Sequence, residues 1–183
     1  MERTNTTGLI PTTFTTAMSP SLASTQPVAV IGATGIQGSG VVNAMLATNH
    51  PVYALTRSAA RLQQIHQPNL TVRDTDITDP SSVRAGLAGV WALFVNTLSD
   101  YSKPEGTEER LLKSFVDAAA QSGVEYLVMS VLPADMPSRA YIEKSNAMAY
   151  AREVAKKTQL KPIFVHVSTS YSFWCSQAYR WFT

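Results

Sequence analysis

The sequence predicts an α/β protein built on a doubly wound, parallel sheet of six strands. Short apolar runs rich in β-branched residues alternate along most of the chain with segments of helical periodicity, a pattern typical of parallel strands that helices connect. Three glycines spaced by three, Gly32, Gly35 and Gly38, join the first apolar run to the first helical segment. Polar residues directly follow several apolar runs, at the edge where such sheets bind ligands. Right-handed crossovers then predict the strand order 3-2-1-4-5-6.

The first strand, Val28–Ile31, leads into this glycine turn, and a helix follows at once. Gly32 permits the turn, Gly35 lets a phosphate approach the backbone, and Gly38 lets the helix pack close to the strand. The first N–H groups of the helix then lie at the positive end of its dipole, where a diphosphate fits. A turn in this context predicts a dinucleotide site; the alternative is an ordinary connection between a strand and a helix.

The second strand, Val52–Leu55, ends in Thr56-Arg57-Ser58, and Arg61 follows within a turn. An acidic residue at this position binds the ribose hydroxyls of NAD, whereas an arginine pairs with the 2′-phosphate of NADP. Because the acid is missing and Arg57 stands there, the sequence predicts NADP as the cofactor. The alternative is a solvated surface arginine.

Two aspartates follow the third strand, Leu70–Asp74. Asp79 precedes Pro80 and is predicted to cap the next helix, with the proline at the first helical position. Asp76 lies at the carboxyl end of the strand, and two interpretations of it stay open. It either contacts the amino group of an adenine or forms a turn through its own carboxylate.

The fourth strand, Val90–Val95, is a continuous apolar run, which is typical of a strand covered on both faces. It ends in Asn96-Thr97, again at the edge where ligands bind. A long helix follows, Gly123 ends it, and Val124–Val131 is predicted as the fifth strand.

The last part of the sheet is predicted from residues 133–167. Residues 133–145 are predicted as a loop that contains Tyr141 and Lys144, residues 146–158 as a helix, and Pro162–Val167 as the sixth strand. His166 within this apolar strand is interpreted as a satisfied core residue without a functional role. No set of cysteine, histidine and carboxylate residues has the spacing of metal ligands.

Composition restricts the classes of function. The 183 residues carry a net charge of +2 without a basic tract, so nothing favours nucleic acid as a partner. No apolar run is long enough to span a membrane. The single cysteine, Cys175, excludes an internal disulfide and favours a reducing, cytoplasmic compartment. The predicted organisation is a Ser/Thr-rich, disordered tail over residues 1–26, one domain over 27–168, and an aromatic-rich tail over 169–183.

Four stretches carry a resemblance to a known family: Val30–Gly38, Thr56–Ser58, Asp76–Pro80 and Ala118–Val124. Through them the chain resembles the NmrA-like family of atypical short-chain dehydrogenases, close to the isoflavone-reductase-like enzymes, over residues 27–167. The resemblance implies an NAD(P)-binding Rossmann fold that prefers NADP(H). Lys144 would lie near the nicotinamide ribose and serve catalysis. The cofactor-binding residues that the resemblance implies are Gly32, Ala33, Thr34, Gly35, Ile36, Gln37 and Gly38 around the diphosphate, Arg57, Ser58 and Arg61 at the 2′-phosphate, Asp76 and Ile77 at the adenine, and Asn96 and Thr97 by the ribose or nicotinamide.

The chain departs from the pattern of these relatives in its catalytic residues. Ordinary short-chain dehydrogenases use Tyr-x-x-x-Lys, but Tyr141 and Lys144 are three residues apart, which argues against Tyr141 as the catalytic acid. Ser130 stands where a catalytic serine could lie, although a hydroxyl that caps the loop after the strand is the favoured interpretation. After the sixth strand, His166-Val167-Ser168 stand where the family has an Arg-Pro pair.

The second departure is in length, because the relatives continue into a substrate lobe that is short or missing here. The final residues crowd six aromatic side chains into a short tail. This tail is interpreted as an aromatic lid, as a surface for a partner or membrane, or as a non-native end from a misread gene model, and the last is favoured.

Two functions from different classes follow, and a third possibility is a chain that has neither of them. The first is an NADP(H)-dependent oxidoreductase that acts on a small organic substrate, such as a secondary metabolite. The second is a non-catalytic, redox-sensing regulator that binds NADP(H) and a protein partner; the shifted spacing of Tyr141 and Lys144 favours it. The third is a non-catalytic fragment with a damaged site.

Overall fold

The computed structural model describes residues 26–57, 67–132 and 137–167. Over these ranges, strands alternate with helices along most of the chain. In chain order the elements are β1 Val28–Ile31, α1 Ile36–Ala47, β2 Val52–Thr56, β3 Leu70–Asp74, α2 Pro80–Gly86, β4 Ala92–Val95, α3 Thr107–Gln121, β5 Tyr126–Val131, α4 Arg139–Ala155 and β6 Lys161–His166.

The strands form one sheet in the order β3-β2-β1-β4-β5-β6, and every neighbouring pair is parallel. The predicted fold class and strand order are therefore confirmed. In the centre of the sheet, Ile31 at the end of β1 lies beside Leu55 of β2 and Val95 of β4. Because all strands run the same way, the segments that follow β1, β2, β3 and β4 come together at one edge.

Helices cover both faces of the sheet, and each face has its own core. On one face, Phe115 of α3 and Ala147 of α4 pack with Leu93 and Leu127 of the sheet. On the other face, Val42 of α1 packs with small and branched residues of β1 and β2. α3 is amphipathic, since Leu112, Phe115 and Ala119 recur at helical spacing and are buried. The central strands are therefore buried between the two layers.

The largest difference from the sequence prediction is the start of α4. The helix begins at Arg139, so the predicted loop 133–145 is wrong over its second half, and Lys144 lies on a helix. Ser138 has the extended backbone of an N-cap residue, and its carbonyl oxygen accepts hydrogen bonds from the N–H groups of Tyr141 and Ile142. The residues after Ser138 are mostly good helix formers, and their contacts with α3 stabilise the added turns.

His166 is the second difference. The side chain is exposed at the end of β6, so its interpretation as a core residue is wrong. β6 is an edge strand with only one neighbour in the described sheet, and most of its residues stay accessible to solvent. Strand ends elsewhere agree with the prediction within about two residues, which is the usual uncertainty of such boundaries.

Some sequence predictions concern parts of the chain outside the described residues. They are the N-terminal tail up to residue 25, the cofactor contacts of Ser58 and Arg61, and the aromatic tail with Cys175. Within the described ranges, no helix has both the length and the apolar character needed to cross a membrane.

Candidate functional site

The turn between β1 and α1 has the conformation that its glycines predict. Gly32 lies in the left-handed region with φ +80°, which glycine adopts at little cost. The N–H of Gly35 donates to the carbonyl oxygen of Gly32 at 2.9 Å and closes the turn. A Cβ at position 32 would lie 3.0 Å from the carbonyl oxygen of Asn96. The turn therefore lies directly against the end of β4.

Gly38 is the point where α1 comes closest to this turn. A Cβ at that position would lie 2.6 Å from the carbonyl carbon of Gly32 and 3.0 Å from the Cα of Ala33, with the Gly32 oxygen closer still. The predicted role of Gly38 in close helix packing is thus confirmed. At the exposed Gly35, a Cβ would meet the Gly32 oxygen alone, at 3.3 Å. The outer face of the turn is therefore open to a ligand.

The amino end of α1 offers unpaired hydrogen-bond donors. Gly35 is the N-cap, provides no side-chain cap, and no acidic residue stands in the first turn. The backbone N–H groups of Ile36, Gln37 and Gly38 find no acceptor among the described residues. Such groups, together with the helix dipole, attract an anion. The turn therefore fits the diphosphate of a dinucleotide in both shape and electrostatics.

A cleft of about 200 Å³ opens beside the turn. The ends of three strands contribute to it, and it is lined by Gly32, Ala33, Thr34, Leu55, Thr56, Arg57 and Ile77. The structure thus brings together predicted site residues from three separate stretches of the sequence. Arg57, which is exposed, also lines this cleft and supplies positive charge to it.

Asp76 forms a turn with its own carboxylate. Its Oδ1 accepts hydrogen bonds from the N–H of Thr78 at 2.9 Å and from the Thr78 hydroxyl at 2.7 Å. These bonds, with a smaller contribution from the charge of Arg57, hold the pKa of Asp76 below its usual value. The turn that one interpretation of this residue predicts is present, and the contact with an adenine stays a prediction. Asp79 caps α2 as predicted, because its carboxylate accepts hydrogen bonds from the N–H groups of Ser81 and Ser82.

The hydroxyl of Ser130 contacts the start of α1. Ser130 is buried at the end of β5, and its Oγ donates to the side-chain Oε1 of Gln37 at 2.6 Å. The interpretation favoured from the sequence, a hydroxyl that caps the loop after β5, is therefore wrong. Instead, Ser130 connects β5 to the glycine turn and orients the amide of Gln37.

Lys144 lies on the inner side of α4 at the end of β4. The residue is only 5% exposed. Its ammonium donates to the backbone carbonyl and the hydroxyl of Thr97, both at 3.1 Å, and to Oε1 of Glu108 at 2.5 Å. Two predicted site residues far apart in sequence, Thr97 and Lys144, are therefore in direct contact.

Glu108 is the residue of this site that sequence reasoning missed. Besides Lys144, its carboxylate accepts hydrogen bonds from the hydroxyls of Thr97 and Ser99, and it is as buried as the lysine. One signal was available: Glu108 precedes Leu112 by four positions, which places the carboxylate on the apolar face of α3. A charged residue on such a face has a partner in the interior.

Glu143 caps the amino end of α3 from the neighbouring helix. Its Oε2 accepts from the N–H groups of Glu108 and Glu109, and its Oε1 accepts from the N–H of Gly106 and from Arg139. Burial opposes ionisation of Glu143, but the bonds from Arg139 and the backbone outweigh it and hold the pKa below the usual value. α3 and α4 are therefore held by reciprocal contacts, with Glu143 on the backbone of Glu108 and Lys144 on its side chain.

The described part of the chain contains no cluster of three or more histidine, cysteine or carboxylate side chains able to hold a metal ion. Tyr141 is half-buried on α4. Its hydroxyl has no hydrogen-bond partner among the described residues, so no hydrogen bond links it to Lys144.

A model of the NmrA-like family matches residues 24–182. Among curated proteins, the chain is 32% identical over 158 residues to the NmrA-like family domain-containing oxidoreductase hkm9 of Aspergillus hancockii, a match that covers 83% of this chain and 47% of that protein.

Solved structures show the same fold. Triphenylmethane reductase of Citrobacter sp., solved in complex with NADP(H), superposes with a TM-score of 0.69 at 20% identity, covering 84% of this chain and 53% of that one. NmrA, a negative transcriptional regulator solved in complex with NADP, superposes with a TM-score of 0.64 at 24% identity, covering 78% of this chain and 45% of that one. The shared fold is the Rossmann-like α/β fold.

The chain spans about half the length of the relatives that it matches. The family model, in contrast, extends over nearly all of the chain, from before β1 to beyond β6. The protein therefore belongs to the NmrA-like family.

Proposed function

We propose that this chain binds NADP(H) at the turn between β1 and α1 and forms the cofactor-binding part of an oxidoreductase that acts on a small organic substrate. One observation carries the proposal. An open glycine turn with unpaired N–H groups shares a cleft with the guanidinium of Arg57. The names of the relatives support it, since hkm9 is an oxidoreductase and triphenylmethane reductase was solved with NADP(H).

The cofactor would lie along the carboxyl edge of the sheet. The N–H groups at the start of α1 would bind the diphosphate, and Arg57 would pair with the 2′-phosphate. Ser58 and Arg61, which the family resemblance adds, would contribute to the same phosphate contact. The backbone near Asp76 and Ile77 would flank the adenine, and Asn96 would lie by the nicotinamide end. A cytoplasmic location, which the low cysteine content favours, is part of this proposal.

Lys144 is the proposed catalytic residue. Its ammonium lies beside Thr97 at the end of β4, where it could donate a hydrogen bond to a ribose hydroxyl or to an oxygen of the substrate. Bound NADPH would supply the hydride. The lysine would hold the reactants and stabilise negative charge that develops on the substrate. The relatives are about twice as long as this chain. We therefore assign substrate specificity to the part of those relatives that this chain does not match.

A non-catalytic regulator is the second candidate. It is favoured by the similarity to NmrA, a transcriptional regulator solved with NADP, and by the hydrogen bonds that engage Lys144 within the protein. Both candidates predict NADP(H) binding, and only the first predicts turnover.

The binding test is a titration of the purified chain with NADPH and NADH, followed by cofactor fluorescence. Arg57→Met should weaken NADPH binding by about ten- to hundredfold, because it removes a charge-assisted contact of about 1.5–3 kcal/mol. NADH affinity should stay unchanged. The matched control is Arg84→Met, another exposed arginine, on α2 away from the cleft. Failure to bind either nucleotide, or tighter binding of NADH, would overturn the proposal.

The turnover test follows NADPH oxidation by absorbance with a panel of quinones, azo dyes and carbonyl compounds. The oxidoreductase hypothesis is supported if the wild type turns over a compound and Lys144→Met abolishes that turnover while it still binds NADPH. NADPH binding without turnover of any compound would favour the regulator.

A further inference from the structure

Lys144 is paired with the buried carboxylate of Glu108. A lysine that only contacts a cofactor would not need this second charged partner. We propose that Glu108 is a positioning residue that keeps Lys144 charged and fixed at the end of β4. Lys144 then works as a permanent hydrogen-bond donor and positive charge, and not as a base. The catalytic meaning of this inference rests on the proposed function, whereas the charge state of Lys144 does not.

The hydrogen bonds of this network fit a charged pair. The Thr97 hydroxyl donates to Oε1 of Glu108 at 2.5 Å, so its lone pairs are free to accept a proton of Lys144. The Ser99 hydroxyl donates to the other carboxylate oxygen. The three protons of an ammonium then match three acceptors: the Thr97 carbonyl, the Thr97 hydroxyl and Glu108. Every bond in this network is consistent with a positive Lys144 and a negative Glu108.

Burial makes the two charges depend on each other. The side chains of Lys144 and Glu108 are 6% and 5% exposed and lie 2.5 Å apart. A neutral lysine would leave a buried carboxylate without its counter-charge, which is far less favourable than the pair. An opposite charge this close therefore favours the charged form of the lysine.

The other charged groups around this point are paired elsewhere. On α3, the carboxylate of Glu109 contacts Lys113 and Asn146. On α4, Glu143 contacts Arg139 and the backbone of α3. Of the described groups that could set the charge of Lys144, Glu108 is thus the one in direct contact.

The bond lengths indicate how the site would accept a ligand. The two bonds from Lys144 to Thr97 are 3.1 Å long, whereas the contact with Glu108 is 2.5 Å. An incoming hydroxyl or carbonyl oxygen would replace a bond to Thr97, because those are the longer and uncharged ones. Glu108 would keep the ammonium charged and in place during that exchange.

The test measures the pKa of Lys144 directly, by NMR titration of the protein labelled with ¹³C at the lysine Cε. The chain has six lysines, and Lys144→Arg identifies the resonance. The wild type gives the reference value for the pKa of Lys144. Glu108→Gln should lower this pKa by about 1–3 units. Glu109→Gln, on the same helix, should leave it unchanged.

A pKa of Lys144 that Glu108→Gln does not lower, or that Glu109→Gln lowers equally, would overturn the inference. If Glu108→Gln does not fold, Glu108→Asp is used, which retains the charge at a longer distance and should give a smaller decrease. This titration needs no nucleotide, so a failure to bind NADPH would contradict the proposed function and leave the NMR result intact.

A second measurement links the pair to the site through the pH profile of NADPH oxidation, with a substrate that the wild type turns over. Glu108→Gln should show an alkaline loss at the lowered pKa of Lys144, and Glu108→Asp should restore most of the wild-type profile. A profile of Glu108→Gln with the wild-type shape would contradict the proposed role, because a purely structural defect lowers turnover equally at every pH.

Discussion

Replacement of Gly38 by alanine is the perturbation whose outcome the geometry of the glycine turn predicts most sharply. The new Cβ would lie 2.6 Å from the carbonyl carbon of Gly32 and 3.0 Å from the Cα of Ala33. Both are backbone atoms, held between β1 and α1, and cannot turn away as a side chain would. To restore a separation of roughly 3.5 Å between carbon atoms, α1 must move outwards by about 1 Å.

Two effects of opposite sign determine the stability of Gly38→Ala. Alanine gains about 1 kcal/mol over glycine inside a helix, whereas overpacking of this kind costs about 1–3 kcal/mol. We therefore expect a net loss of stability of up to about 2 kcal/mol. Movement of α1 also carries its first N–H groups away from the diphosphate. A hydrogen bond of about 2.9 Å that lengthens by 1 Å is lost, and each charged one contributes about 1.5–3 kcal/mol, so NADPH affinity should fall at least tenfold.

Gly40→Ala is the matched control on the same helix. Gly40 is exposed, and a Cβ there would meet no atom within 4 Å. This variant should gain about 1 kcal/mol of stability from helix propensity, or about 2–4 °C in Tm, with unchanged NADPH affinity. The assays are thermal unfolding by circular dichroism and NADPH titration. If Gly38→Ala were as stable as Gly40→Ala and bound NADPH like the wild type, the close approach of α1 to the turn would be refuted.

The remaining predictions concern helix caps. Asp79→Ala should destabilise the protein by about 1 kcal/mol in urea unfolding, because it removes the hydrogen bonds to Ser81 and Ser82 at the start of α2. Glu143→Gln should destabilise by about 0.5–2 kcal/mol at pH 7, since it weakens the cap of α3 and the pairing with Arg139. The pKa of Glu143 is depressed in the folded state, so its contribution is complete above the unfolded value of about 4.3 and is lost as the pH falls through the folded value.

The glutamine variant should therefore lose less stability than the wild type between about pH 5 and pH 3. Equal losses for both proteins over this range would show that Glu143 does not supply the pH dependence. Thr78→Ala serves as a control for Asp79→Ala, because it lies in the same segment and donates to Asp76 outside the helix cap. A loss for Asp79→Ala no larger than for Thr78→Ala would contradict the capping role.

The features that the sequence predicts correctly depend on local signals. Each of these signals spans only a few consecutive residues: the glycine turn, the cap at Asp79 and the apolar runs of the central strands. The strand order then follows from the handedness of the crossovers. The start of α4 was missed because Ser138 lies one residue after a proline, and the decisive contacts of Glu143 come from α3, more than thirty residues earlier.

Glu108 was missed for a related reason. In sequence, it is an acidic residue in the first turn of a helix, where a favourable interaction with the dipole is sufficient explanation. Its contact with Lys144 spans 36 residues, so periodicity alone could place it on the inner face but could not name its partner. Ser130 is a similar case, since its hydrogen bond to Gln37 spans 93 residues.

The most direct test of the central claim, that NADP(H) binds with its diphosphate at the start of α1, is an NMR titration of the ¹⁵N-labelled chain. On addition of NADPH, the amide resonances of Ile36, Gln37 and Gly38 should shift the most, and an equal concentration of NADH should shift them less. Residues at the opposite edge of the sheet, such as Trp91 and Glu125, should stay unchanged. Amide shifts that are absent from the start of α1, or that concentrate around Trp91 and Glu125, would contradict the claim.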